Sequence, residues 1–266
     1  MKKFWGFLLV IVLMTSCGEY QSLLKSNDYN LVYKKAIEYY NKGDYQRAMN
    51  LLDGVRSVFV GQAKAQNIAY YRAFCSYNMK DYQIASDLFK QFIQTYPESS
   101  FAEECLYMMG FCDYKASPKP RLDQQVTEKA IREFQLYLSR YPYSMRKDKV
   151  NTYMDEMRDK LSYKAYLSAK NYYLREHYKA AVISLQNCLK DYPGSKYREE
   201  IMYMLFVSKY QMAVNSVEDK KVERYNNARE EYYYFADEYP NSKYAADMKK
   251  KYDVINNFLK DYKFDD

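Results

Sequence analysis

Four Tyr-Pro pairs divide this chain, at Tyr96-Pro97, Tyr141-Pro142, Tyr192-Pro193 and Tyr239-Pro240. An alanine stands twelve residues before each proline: Ala85, Ala130, Ala181 and Ala228. Proline disfavours helical geometry in the residue before it, so each pair reads as the end of a helix. A small residue at a fixed distance from a breaker marks where two helices come close. The prolines recur at intervals of 45, 51 and 47 residues, which predicts stacked helical hairpins rather than one globular core. Only seven glycines and six prolines in 266 residues agree with long helices and few loops.

The repeat extends beyond the prolines. The series Ala36, Tyr39, Tyr45, Ala48, Leu52 returns at the same spacing as Ala169, Tyr172, Tyr178, Ala181, Leu185. It returns, with Ser for Tyr and Phe for Leu, as Ala73, Ser76, Tyr82, Ala85, Phe89, while Phe134 and Tyr232 lie four residues after Ala130 and Ala228. Alanines let two backbones approach, and bulky residues three or four positions away fill the grooves beside the contact. Asp44 and Asp81 are placed to cap second helices. Ser99, Ser144, Ser195 and Ser242, each two after a proline, are expected to N-cap the next helix. Five units result, with a closing helix over 242–261. The first unit has Phe59-Val60-Gly61 in place of Tyr-Pro, and a proline-containing loop, 117–121, interrupts the third. No breaker occurs over 145–176, which predicts one helix ~45 Å long at 1.5 Å per residue. Residues 18–30 lack periodicity and read as an extended tether.

The N-terminus is a separate object. Met1-Lys2-Lys3 is basic, Phe4 to Met14 is apolar, and Thr15-Ser16-Cys17 closes the run. Such a run is too short to cross a ~30 Å hydrocarbon core, and its charge and small-residue ending fit a secretory signal. Met14-Thr15-Ser16-Cys17 resembles the lipobox of bacterial lipoproteins, which makes Cys17 the acylated first residue of the mature chain. An ordinary cleaved signal with an incidental cysteine is the alternative. Gly18 rather than Asp follows the cysteine, so the expected location is the outer membrane, facing the periplasm. Buried methylenes contribute ~0.8 kcal/mol each, enough in multiple acyl chains to hold a domain on lipid.

Little else in the chain suggests chemistry. The 41 basic and 34 acidic residues leave a formal +5 once Lys2 and Lys3 are removed, too mild and dispersed for nucleic acid. The single histidine, His177, would have to carry any metal or nucleophile arrangement alone, and seven scattered glycines supply no phosphate loop. No cofactor or metal is expected, and no catalytic cluster favours a hydrolase. Glu103-Glu104, Glu199-Glu200 and Glu230-Glu231 read as solvated or dipole-favoured first-turn charges rather than acid/base couples. Cys75, Cys105, Cys112 and Cys188, an even number that in an exported chain allows disulfides, form no CxxC, sit among apolar neighbours in predicted helices, and read rather as buried free thiols. Of the 34 tyrosines about half fall on packing positions. An exposed binding face is expected at Tyr70, Tyr71, Arg72 and Tyr107, on first helices of their units, because tyrosine gives rigid contact area at low entropic cost.

The order small residue, Tyr, Tyr, Ala, large apolar, Pro resembles the tetratricopeptide repeat, without its usual Trp and without glycine at the helix ends Lys80 and Glu176. More specifically, Leu106-Tyr107-Met108-Met109-Gly110, Arg121 to Gln125 with Arg140 to Ser144, and Ala169 to Tyr172 with Tyr178 to Ala181 and Leu189 to Pro193 resemble the third and fourth repeats of the BamD family of outer-membrane lipoproteins. That resemblance covers roughly residues 30–215. It implies an all-α fold, a right-handed superhelical solenoid of about five such hairpins plus a C-terminal helix. It implies no enzymatic activity, and a scaffold of the β-barrel assembly machinery that binds BamA-like periplasmic domains and unfolded outer-membrane barrel precursors. The organisation expected is a signal peptide at 1–16, a lipidated tether at 17–30, N-terminal repeats at 31–115, and C-terminal repeats with the closing helix at 116–266. A repeat lipoprotein of another envelope machine, for pilus assembly or cell-envelope division, would share the anchor and repeats but not the third- and fourth-repeat likeness.

Overall fold

The computed structural model describes residues 18–262, so Cys17 and the signal segment lie outside the described residues. Among these residues every regular element is an α-helix. A short helix α1 covers 18–24. It is followed by α2 (Tyr29–Asn41), α3 (Tyr45–Val55), α4 (Ala63–Asn78), α5 (Tyr82–Thr95), α6 (Ala102–Ala116), α7 (Gln125–Arg140) and α8 (Lys147–Leu174). Then come α9 (Tyr178–Asp191), α10 (Arg198–Val214), α11 (Glu218–Glu238) and α12 (Ala245–Asp261). The chain forms two compact units, one ending at Met157 and one beginning at Arg158, so the division falls inside α8. Helices pack on their sequence neighbours, as short connections require, which is the all-α hairpin stack that the repeat predicts. The breaker-free stretch is a single helix of 28 residues.

The repeat alanines lie in the core: Ala48, Ala85, Ala130, Ala181 and Ala228 are all fully buried. A Cβ at Gly110 in α6 would come within 2.9 Å of Cδ1 of Phe134 on α7, so only hydrogen fits.

Two kinds of turn recur with the same backbone hydrogen bonds. At the end of a first helix, one residue is left-handed: Gly43 (φ 81°), Lys80 (φ 68°) and Glu176 (φ 59°). The next residue, Asp44, Asp81 or His177, donates its N–H back to the carbonyl of Tyr39, Ser76 or Tyr172. Asp44 Oδ1 then accepts from Arg47 N at 3.2 Å and caps α3. Asp81 occupies the same position without a side-chain cap bond, contrary to expectation. Left-handed geometry costs a side-chain-bearing residue about 1 kcal/mol, offset by about 0.5 kcal/mol for a freer unfolded glycine. Lys80→Gly is therefore expected to stabilise the chain by about 0.5 kcal/mol and Gly43→Ala to destabilise it, both read by urea unfolding midpoints.

At the end of second helices, Tyr96, Tyr141, Tyr192 and Tyr239 share φ near −130° and ψ near 63°. Each donates to the carbonyl four residues back and accepts from the serine two after the proline. Those serines do not cap the following helix. Ser99, Ser144, Ser195 and Ser242 accept at Oγ from the N–H two residues on, at 3.0–3.2 Å, and so build a separate turn before the helix begins.

The segment expected to be an extended tether is helical over 18–24 instead. Tyr20 and Leu23, one helical turn apart, are buried in the first core with Val32, Leu51 and Leu52. The Tyr20 hydroxyl accepts from Asn50, and its ring packs edge-on against Tyr39 with the Arg47 guanidinium over it.

Candidate functional site

The four residues expected to form an exposed binding face are half-buried or buried in the structure. Arg72 is buried, and its Nε donates to Asp53 on α3 at 2.5 Å. Tyr71 is half-buried, edge-on against Tyr40 at 4.9 Å. Tyr70 is half-buried against Phe74, Phe92 and Phe101, and this burial pushes its hydroxyl up to about 12. Tyr107 is buried between Phe111 and Tyr137, with its hydroxyl raised by burial and by Tyr153.

Tyr70 and Tyr107 instead belong to a repeated joint. The residue four after each proline lies on an aromatic ring of the preceding unit's first helix. Phe101 lies 4.6 Å from the Tyr70 ring, the Arg146 guanidinium 4.6 Å from Tyr107, Tyr197 4.4 Å from Tyr166, and Tyr244 4.1 Å from Tyr203. In the last two the rings are 11° from parallel. Offset stacking and cation–π contact each add to the area these groups bury. The proline-plus-four spacing was readable in the sequence, but its partner Tyr on the earlier helix was not, because helix lengths vary between units.

Carboxylates lock the same joint. Glu103 accepts from Tyr137 and Ser144, and Glu104 pairs with Arg146. Glu199 accepts from Ser242 at 2.6 Å, while Glu200 takes Lys170 at 2.7 Å and the Tyr166 hydroxyl at 2.9 Å. Despite partial burial, the Glu200 carboxyl is held below its ordinary range by Lys170 and Tyr166. Glu231 pairs with Lys209 on the neighbouring α10. Five of the six glutamates in the expected solvated pairs therefore tie helices together, and only Glu230 is exposed.

One polar cluster lies off the joints. On α5, α6 and α7, Ser86 donates to Asp113 at 3.0 Å, Lys129 Nζ sits 2.8 Å from Asp113, and Glu133 Oε1 is 3.7 Å from the same Nζ. Asp113 and Glu133 are both buried, and Glu133 Oε2 has no hydrogen-bond partner. Burial first, then the adjacent Asp113, pushes the Glu133 carboxyl up to about 8. The cluster thus holds one neutral acid beside one Lys–Asp pair. It borders a groove of about 350 Å³ whose apolar lining includes Ile93, Leu106, Met109 and Leu136. Comparable grooves lie between α5 and the turn after α3, over α4, about 400 Å³, and between α9 and α11 over α10, about 600 Å³. Each is an open trough lined by three neighbouring segments, suited to side chains of a partner rather than to enclosing a small molecule.

His177 is exposed at the start of α9 without a side-chain cap bond. Cys75, Cys105, Cys112 and Cys188 are buried free thiols, as expected, and burial raises each thiol above its ordinary value. Among the described residues no group of three or more His, Cys, Asp or Glu could hold a metal ion. No helix among them is long and apolar enough to cross a membrane.

Comparison with known proteins gives one family. Residues 25–200 and 164–265 match the model of the YfiO family, described as outer membrane lipoprotein. No curated protein matches the chain. Among solved structures, a TPR repeats protein from Bacteroides fragilis is similar at 12% identity and a TM-score of 0.41, covering 88% of this chain and 100% of its own. The TPR2AB domain of yeast Sti1 in its pHSP90 complex is similar at 13% identity and a TM-score of 0.38, covering 86% of this chain and 98% of its own.

Proposed function

The chain belongs to the YfiO family of outer membrane lipoproteins, and from that premise we propose that it is a non-enzymatic scaffold of the β-barrel assembly machinery. It faces the periplasm, with residues 1–16 removed as signal peptide and acylated Cys17 as the membrane anchor. The repeats within 116–266 hold the periplasmic domains of a BamA-like insertase, and those within 31–115 receive unfolded barrel precursors. The observation that carries this reading is a family match running from residue 25 to 265 over hairpins that offer troughs and joints rather than an enclosed reaction site. The likeness of Leu106 to Gly110 and Ala169 to Pro193 to the third and fourth repeats of BamD favours this machine over other envelope assemblies.

Affinity capture of the lipidated protein from detergent-solubilised envelopes of its own cells tests the role. A barrel insertase with periplasmic repeat domains is expected as a stoichiometric partner. Recovery of pilus or division proteins in its place rejects the assignment. The anchor is tested separately: Cys17→Ala is expected to abolish incorporation of radioactive palmitate and to release the protein from the membrane fraction. Undiminished labelling would place the lipid elsewhere.

A further inference from the structure

The turn between α7 and α8 departs from the other three Tyr-Pro turns. The residue after proline is Glu98, Gly194 or Asn241 in those turns, and Tyr143 here. Two residues further on stand Ser100, Lys196 or Lys243 in those turns, and Met145 here. The repeat geometry requires neither, since the other turns close with the same hydrogen bonds on polar residues. Tyr143 is 98% exposed and Met145 is 102% exposed, so none of the described residues covers them. Around them Arg140, Lys147 and Lys149 are exposed cations, with Asp148 the one acid between residues 140 and 149.

We propose that this turn is a membrane-contact knob that seats in the headgroup region of an anionic lipid surface. The proposal rests on the lipid-anchor reading for its setting, because an anchored chain meets lipid at high effective concentration. Two apolar side chains on an exposed turn cannot by themselves furnish the ~800 Å² per partner of a stable protein interface. A bilayer interface needs no matching shape. Tyrosine presents an apolar ring with a wet hydroxyl, methionine is a flexible apolar chain, and the flanking cations complement lipid phosphates.

The sequence allows a clean test, since its single tryptophan is Trp5 in the signal segment. The mature lipidated chain loses Trp5 with the signal segment, so with Tyr143→Trp it carries one tryptophan, at the tip of the turn, excited selectively over the tyrosines. It is mixed with vesicles of phosphatidylethanolamine and phosphatidylglycerol, with and without brominated acyl chains, and with phosphatidylcholine vesicles. The expected result is a blue shift and bromine quenching with the anionic vesicles, both lost with phosphatidylcholine or when Lys147→Glu and Lys149→Glu are added. Emission that stays water-like on anionic vesicles overturns the proposal, as does a shift that appears only with the captured protein partner. Flotation of the same samples reports the anchor independently. A protein that floats with unshifted emission sinks the knob and spares the anchor, whereas one that does not float but shifts with excess vesicles does the reverse.

Discussion

Replacing Phe134 by alanine is expected to lower the stability of the first unit by about 4 kcal/mol, the range for truncating a fully buried phenylalanine. The ring fills the space that Gly110 vacates on α6, and lies 6.3 Å from the Tyr107 ring and 5.9 Å from Tyr153. Urea unfolding of the full chain measures the loss as a large fall in midpoint at unchanged slope. A loss below about 1.5 kcal/mol would mean that the α6–α7 joint is not packed as described.

The second large effect is in pH. Glu133 has an ordinary value of 4.5 when exposed and about 8 when folded, because it is buried beside Asp113. Between those values the folded chain holds a proton that the unfolded chain has released. Stability therefore falls as pH rises from about 4.5 to about 8 and is level above it, by at most roughly 5 kcal/mol at about 1.4 kcal/mol per pH unit. Glu133→Gln keeps a neutral side chain of the same shape, and is expected to remove most of this slope and to stabilise the chain at pH 9. A wild-type midpoint that is flat from pH 5 to 9, or a Gln variant with the same slope, would show that Glu133 is ionised in the fold.

Much of the fold was legible because a few local signals recur. Tyr-Pro followed by serine marked four turns, the buried alanines marked the helix contacts, and the absence of a breaker marked α8. What escaped notice depends on pairs of residues far apart in the chain. Tyr70 and Tyr107 looked available because their own helices do not cover them; they are covered by Phe101 and Arg146 of the next unit. Glu103 and Glu199 looked solvated as first-turn charges, yet Ser144 and Ser242, each some forty residues on, donate to them. Helix α1 was missed because two apolar residues in one turn, Tyr20 and Leu23, are too few to show a period. The grooves had no sequence signal, since their linings combine three segments.

Leucine substitution at Ala48, Ala85, Ala130, Ala181 and Ala228, one at a time, tests the repeat most directly. Each alanine is 0% exposed, so each added isobutyl group must force two helices apart at a loss of about 2 kcal/mol, whereas Ile84→Leu, at a position 56% exposed, leaves the unfolding midpoint unchanged. Leucine tolerated at these alanines as readily as at Ile84 would contradict a stack of hairpins spaced by equivalent close contacts.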